Sequence, residues 1–248
     1  VGRSDILTSF FALLSFLFFT LRRKRFFLFL SLFSFFLSLL SKEMSISLIL
    51  LVPIFVLLIE GKSFNLAIKT FFLFLIPTVI YLILRGFVLG PYVGKDFAIY
   101  VQGQYLVFPH ETFQTVFFTM VHAFGKYLEL CLLPINQSAD YTGFPYSHFF
   151  NLDVYIAILS YIFLFLISII YYRRGEKRIL FWALFFVLCF GPVSNILAKT
   201  GIILAERVIY LPSVGICILL ALVFERLLKI DKLFFVFPIL LIISFSYL

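Results

Sequence analysis

About eight apolar runs, at 5–21, 26–41, 45–59, 66–84, 154–172, 179–195, 211–228 and 233–248, make up most of this chain. Each approaches the ~20 residues that cross a bilayer as a helix. In hydrocarbon every backbone N–H and C=O must be paired inside the protein, so runs of this length are expected to be helices. A soluble globule is excluded on the same ground. Only 13% of the residues are charged, against about 25% in soluble domains. The 37 phenylalanines suit lipid-facing helix surfaces. The expected fold is an all-α polytopic membrane bundle of about eight spanning helices.

The breaks between the runs carry the charge: "RRKR" at 22–25, "SKEM" at 41–44, "EGK" at 60–62, "RRGEKR" at 173–178 and "ERLLKIDK" at 225–232. Basic residues collect in cytoplasmic loops. Placing all of these except "SKEM" on the cytoplasmic side, with Lys69, gives that side 13 of the 20 Lys+Arg and 4 of the 12 acidic residues. The other side keeps 7 basic and 8 acidic residues. This split accounts for the net charge of +8 without a nucleic-acid partner. It also constrains the apolar stretch 112–134. A crossing there would invert "RRGEKR" and "ERLLKIDK", so the stretch is expected to be an interfacial or re-entrant helix on the extracytoplasmic side. His122, Lys126 and Glu129, spaced by four and three, form one polar stripe on it.

On this topology the extracytoplasmic face gathers Arg3, Asp5, Lys42, Glu43, Arg85, His110, Glu111, His122, Lys126, Asp140, Tyr141, Lys199, Glu206, Arg207 and Tyr210. The middles of the spans carry no charge, whereas ion-coupled transporters place ionisable groups near the midplane. Chemistry is therefore expected at the outer face. Bland readings stand beside the functional ones. "SKEM" is also an ordinary solvated turn, "AERVIYLP" an interfacial anchor of Arg and Tyr, and Asp140–Tyr141 a simple turn. His110 and His148 read as loop residues. Cys131, Cys189 and Cys217 read as buried thiols without metal-ligand spacing. No metal site, nucleotide loop or cofactor motif is expected.

Several motifs coincide in order along nearly the whole chain: "VGRSDILTSFFALL" at 1–14, "SKEMSISL" at 41–48, "KYLELCLLPINQSADYTGFP" at 126–145, "GPVSNIL" at 191–197 and "AERVIYLPSVGICILLA" at 205–221. Together they resemble the membrane domain of the transmembrane and tetratricopeptide-repeat-containing O-mannosyltransferases and their prokaryotic relatives. The resemblance implies a membrane glycosyltransferase of the GT-C fold in the endoplasmic reticulum or bacterial inner membrane. It implies a polyprenyl-phosphate sugar donor, a protein hydroxyl as acceptor, and membrane lipid around the bundle. It also implies a chain truncated at both ends. A first span and first lumenal loop with acidic site residues would precede Val1, and a repeat array would follow Leu248.

Such a transfer needs a carboxylate to take the acceptor proton and cations to stabilise the leaving phosphate. Asp5, Asp140 and Glu206 are the candidate carboxylates. Lys42, Arg85, Arg207 and Tyr210 are the candidate phosphate ligands. Arg3, Glu43, His122, Lys126 and Tyr141 complete the polar face. Arg207 is expected to share a cavity with Lys42 or Arg85, with Glu206 holding one of these cations. The alternative is a transporter or flippase of lipid-linked sugars, which would use the same cations without a chemical step. A non-catalytic scaffold is the third reading.

The orientation is testable by single-cysteine labelling. Cysteines placed at 22–25 and 173–178 should react from the cytoplasmic side. Cysteines at 140 and 206 should react only from the opposite side.

Overall fold

The computed structural model describes residues 2–89, 111–133, 138, 141, 143–196 and 203–230. Eight α-helices and no strands occur among them: α1 (Arg3–Thr20), α2 (Arg25–Ser41), α3 (Leu48–Leu58), α4 (Phe64–Leu89), α5 (Phe113–Leu132), α6 (Leu152–Arg173), α7 (Lys177–Phe190) and α8 (Tyr210–Ile230). Short 3-10 turns at Glu43–Ser47, Gly191–Val193 and Glu206–Ile209 complete the path. The expected runs from 5–21 to 211–228 each coincide with a helix; the run at 233–248 lies outside the described residues. Segments Arg3–Thr20, Phe64–Val88, Leu152–Arg173 and Glu206–Lys229 are long and apolar enough to cross a membrane. The chain is an all-α polytopic membrane protein.

Two boundaries differ from the apolar pattern. The run 45–59 begins as a 3-10 turn and becomes α-helical only at Leu48. The run 179–195 stops being α-helical at Phe190, because Gly191 and Pro192 follow. Proline offers no N–H to continue the helix and clashes with the preceding turn.

Small polar residues join α1 to α2. Ser38 Oγ donates to the Thr8 carbonyl (2.8 Å) and Ser31 Oγ to the Ser15 carbonyl (2.8 Å). All four residues are buried. Such interhelical bonds average about 0.6 kcal/mol in membrane bundles, but they also fix the pair as an antiparallel hairpin. The aromatic core then locks α3 and α7 beside it. Phe55 packs edge-on against Phe181 at 5.5 Å, and Phe16 stacks on Phe181 at 5.9 Å.

This arrangement sorts the charges to two poles. At one, the start of α1 meets the end of α2, and Arg85 near the end of α4 reaches Glu43. At the other, Arg22 grips Glu60 through both guanidinium nitrogens, and Arg226 of α8 reaches Glu176 before α7 at 3.3 Å. The basic breaks 22–25, 60–62 and 173–178 thus share one pole with the end of α8. "SKEM" and "AERVIYLP" lie at the other.

Helix α5 belongs to the second of these groups. Thr112 caps it, accepting the Thr115 N–H at 3.3 Å. The extended Leu133 before Pro134 ends it. Phe118 meets Phe149 at 5.4 Å, Asn195 Nδ2 reaches Met120 Sδ at 3.3 Å, and Tyr127 stacks on Phe190 at 4.8 Å. These partners flank the starts or ends of other helices at the "SKEM" pole.

The thiols are not uniformly buried. Cys189 is buried, Cys131 is half-buried and Cys217 is exposed. An apolar side chain on a spanning helix gains nothing by turning inward when its outer surroundings are lipid, so Cys217 on the outer face of α8 needs no special cause.

Gly215, within "LPSVGICI", lets α8 pack close against the backbone of α7. A Cβ there would lie 2.7 Å from the Trp182 carbonyl oxygen and 3.0 Å from the Phe186 nitrogen. Both are backbone atoms and cannot swing aside. Gly215→Ala should therefore destabilise the protein by about 1–3 kcal/mol, the usual cost of overpacking. Gly86→Ala, with nothing within 4 Å of its Cβ position, should lower the thermal unfolding midpoint in detergent little or not at all.

Candidate functional site

The polar pole is assembled from four parts of the chain. Asp5 lies in the first turn of α1, where the helix dipole favours a carboxylate. It is 2% exposed and forms an ion pair with Lys42. Lys42 ends α2 in extended conformation, at φ −168°. That conformation turns the chain into the Glu43–Ser47 turn. Glu43 pairs with Arg85, whose Nη1 also donates to Tyr81 Oη at 2.9 Å.

The fourth part is the turn Glu206–Ile209, which leads into α8. The Ala205 N–H donates to Tyr127 Oη at 2.9 Å, fixing the turn to α5. Tyr141 Oη donates to Glu206 Oε1 at 2.9 Å, and the Ser138 N–H donates to the same oxygen. Burial, with the bond to the Glu206 carboxylate, pushes the Tyr141 phenol up to about 12. It therefore stays protonated and donating at neutral pH.

A cavity of about 180 Å³ opens between these parts, lined by Lys42, Glu43, Met44, Tyr127, Pro192, Val193 and Val208. Of the residues singled out in the sequence, Lys42 and Glu43 line it directly. Asp5 and Arg85 stand behind them as counter-charges. Glu206 and Arg207 share a turn with the cavity-lining Val208 but do not line it.

The pairing differs from the expected one. Glu206 is held by a phenol and a backbone amide rather than by a cation, while Lys42 and Arg85 take Asp5 and Glu43. The reason is reach: the hairpin α1–α2 presents Lys42 to Asp5, and α4 delivers Arg85 to Glu43. Among the described residues of this pole, Arg3 and Arg207 have no carboxylate within ion-pair distance. Arg3 is exposed and Arg207 half-buried. Tyr210 is 52% exposed and opens α8.

The remaining candidates lie aside. His122 Nδ1 bonds Ser147 Oγ at 2.8 Å, and its ring packs on Phe144 at 4.6 Å. Burial lowers its pKa, against the pull of Asp153. Lys126 pairs with Glu129 on the exposed flank of α5 at 2.6 Å. Asp140, His110 and Lys199 lie outside the described residues.

Tyr127, Pro192 and Asn195 were not singled out by sequence reasoning. Tyr127 is 2% exposed, and its hydroxyl is the polar link between α5 and the Glu206 turn. A period of three to four over Met120, Ala123, Tyr127 and Leu130 marks the buried face, so a phenol on that face was the available signal. Asn195, at φ +53°, turns the chain after "GPVS".

These features define an integral membrane protein whose apolar helical bundle carries an ion-paired polar site at one end. No family model and no solved structure matches the chain. Curated proteins do. It is 48% identical over 58 residues to the protein O-mannosyl-transferase TMTC4 of Homo sapiens, covering 23% of this chain and 8% of that protein. It is 30% identical over 117 residues to the protein O-mannosyl-transferase F38B6.6 of Caenorhabditis elegans, covering 46% and 16%. It is 56% identical over 43 residues to the protein O-mannosyl-transferase Tmtc1 of Drosophila melanogaster, covering 17% and 5%. The matched stretches span at most about a sixth of these relatives' length. The chain is thus similar to short stretches of proteins named protein O-mannosyl-transferases.

Lys42→Met should expose the dependence of the site on its buried pair. Removing one partner of a buried ion pair costs about 3–5 kcal/mol, because the other charge stays uncompensated. Asp5→Asn combined with Lys42→Met should recover most of that loss in a detergent unfolding measurement.

Proposed function

We propose that this chain forms part of a membrane glycosyltransferase that transfers mannose from a polyprenyl-phosphate donor to a protein hydroxyl at the extracytoplasmic face. The observation that carries this reading is the Glu206–Arg207 turn. It sets a half-buried guanidinium that has no carboxylate partner among the described residues beside a carboxylate held by neutral donors, next to a cavity lined by Lys42 and Glu43. A guanidinium in that state has its forked donors available for a phosphate. The names of the relatives supply the mannose and the protein acceptor, and the motif resemblance supplies the polyprenyl-phosphate donor and the GT-C architecture.

In the proposed step the acceptor oxygen attacks the anomeric carbon of the donor sugar. The bond from that carbon to the phosphate oxygen breaks, and the electron pair leaves with the lipid phosphate. Arg207 stabilises the charge gained by the phosphate, while Lys42 and Arg85, paired with Asp5 and Glu43, hold the geometry of the cavity wall. The acceptor proton passes to a carboxylate. Glu206, with one oxygen already bound by Tyr141 and Ser138, is the described carboxylate best arranged to keep its second oxygen for that role. Asp5 is tied to Lys42 and serves instead to hold it. Asp140 is the alternative base under the same scheme. Tyr210, half exposed at the start of α8, follows the turn directly, and Tyr141 fixes the Glu206 rotamer.

The test is a transfer assay with the full-length protein and polyprenyl-phosphate mannose. One charge-assisted bond is worth about 1.5–3 kcal/mol, so Arg207→Lys should slow transfer roughly tenfold to a hundredfold. Membrane levels should stay normal, since lysine reaches the interface as well as arginine does. An unchanged transfer rate would overturn the role given to Arg207. Retained donor binding without any mannosyl transfer by the wild type would favour a flippase of lipid-linked sugars.

A further inference from the structure

The opposite pole holds a second cavity, of about 300 Å³, that the proposed transfer does not use. It forms where the end of α6, the start of α7 and the end of α8 converge. Arg174, Arg178, Arg226 and Lys229 line it together with the carboxylates of Glu176 and Glu225. Among the described residues, four cations face two carboxylates. Glu176 is shared by Arg226 at 3.3 Å and Arg178 at 3.4 Å, and Glu225 takes Lys229 at 2.8 Å. Among the described residues Arg174 has no ion-pair partner. Its guanidinium lies 5.8 Å from the centre of the Tyr171 ring, and that of Arg226 lies over the same ring at 4.2 Å. One aromatic ring therefore lies beside two of the guanidinium groups that line a cavity with more cations than carboxylates among the described residues. The site calls for an anion, and paired guanidinium forks suit phosphate oxygens.

The surroundings specify what carries the phosphate. Leu222 belongs to the lining, and its neighbour Val223 is 49% exposed. Ile169 and Ile170, just before Tyr171, are 43% and 50% exposed. These apolar faces belong to helices of membrane-spanning length, so the cavity opens where hydrocarbon gives way to headgroups. Basic clusters at such a level attract anionic lipids. We propose that this cavity binds the phosphate of an anionic phospholipid headgroup, with Arg174 and Arg226 on the phosphate and the acyl chains along the exposed faces of α6 and α8.

The experiment is lipid retention by purified full-length protein, read by native mass spectrometry after addition of equimolar phosphatidylglycerol and phosphatidylcholine. The wild type should retain phosphatidylglycerol preferentially. Arg174→Gln should weaken that retention about tenfold, and adding Arg226→Gln should abolish the preference. Arg226 also holds Glu176, so the single Arg174 variant, which breaks no ion pair among the described residues, guards against a folding artefact. Lys24→Gln removes one charge at the same pole away from the cavity and should leave retention unchanged. Equal retention of both lipids by the wild type would overturn the proposal. So would wild-type retention in Arg174→Gln, or an equal loss in Lys24→Gln. Displacement of phosphatidylglycerol by inorganic phosphate would instead make this a site for a soluble anion and overturn the lipid assignment.

Discussion

An ionised group without a partner in hydrocarbon is costly, and the bundle is organised around avoiding that state. Asp5 shows the constraint most directly. It sits among apolar helices with 2% of its surface exposed, and it is tolerable there because Lys42 meets it from the end of the next helix. That pairing requires α1 and α2 to run antiparallel in the register set by Thr8–Ser38 and Ser15–Ser31. The chain must then turn sharply at Lys42, which puts Glu43 where Arg85 reaches it. One buried carboxylate thus fixes the ends of three helices.

The same constraint explains why the polar pole suits chemistry. Charges that neutralise one another contribute little reactivity of their own, but they hold geometry at low conformational freedom. Asp5, Lys42, Glu43 and Arg85 form that scaffold. Glu206 and Arg207 stand outside it, the acid held by a phenol and an amide, the arginine without an acid among the described residues. Tyr127 ties their turn to α5, which in turn packs on Phe190 and the 191–196 segment. The opposite pole solves the problem differently. There Arg22 and Glu60 close on each other, while the described residues around Tyr171 include more cations than carboxylates.

Much of this was legible in the sequence. Apolar runs near span length have few folded solutions in a bilayer, so the helical state of the described runs followed from pattern alone, whereas four of the described helices are long and apolar enough to cross, against the eight spans expected. The charge split separated the breaks into the two groups that the tertiary contacts bring to separate poles. The weak points were helix ends. At 43–47 and 191–195 the apolar pattern continues while hydrogen-bond geometry changes, and hydropathy does not register that change. Cys217 was misjudged because apolar residues on a spanning helix face lipid or core with equal ease.

By itself, the sequence determined which segments are helical, which breaks are rich in charge, and that polar groups from distant motifs belong to one end of the bundle. Those properties follow from the cost of exposing backbone or charge to hydrocarbon, which is a local property of composition. Only the tertiary structure decided the partners: Lys42 with Asp5 rather than Glu206, Arg85 with Glu43, Glu206 with Tyr141, and the bond from Ala205 to Tyr127. Partner choice depends on register, helix length and the few ångströms a side chain can reach. A linear pattern of residue types carries no measure of those distances.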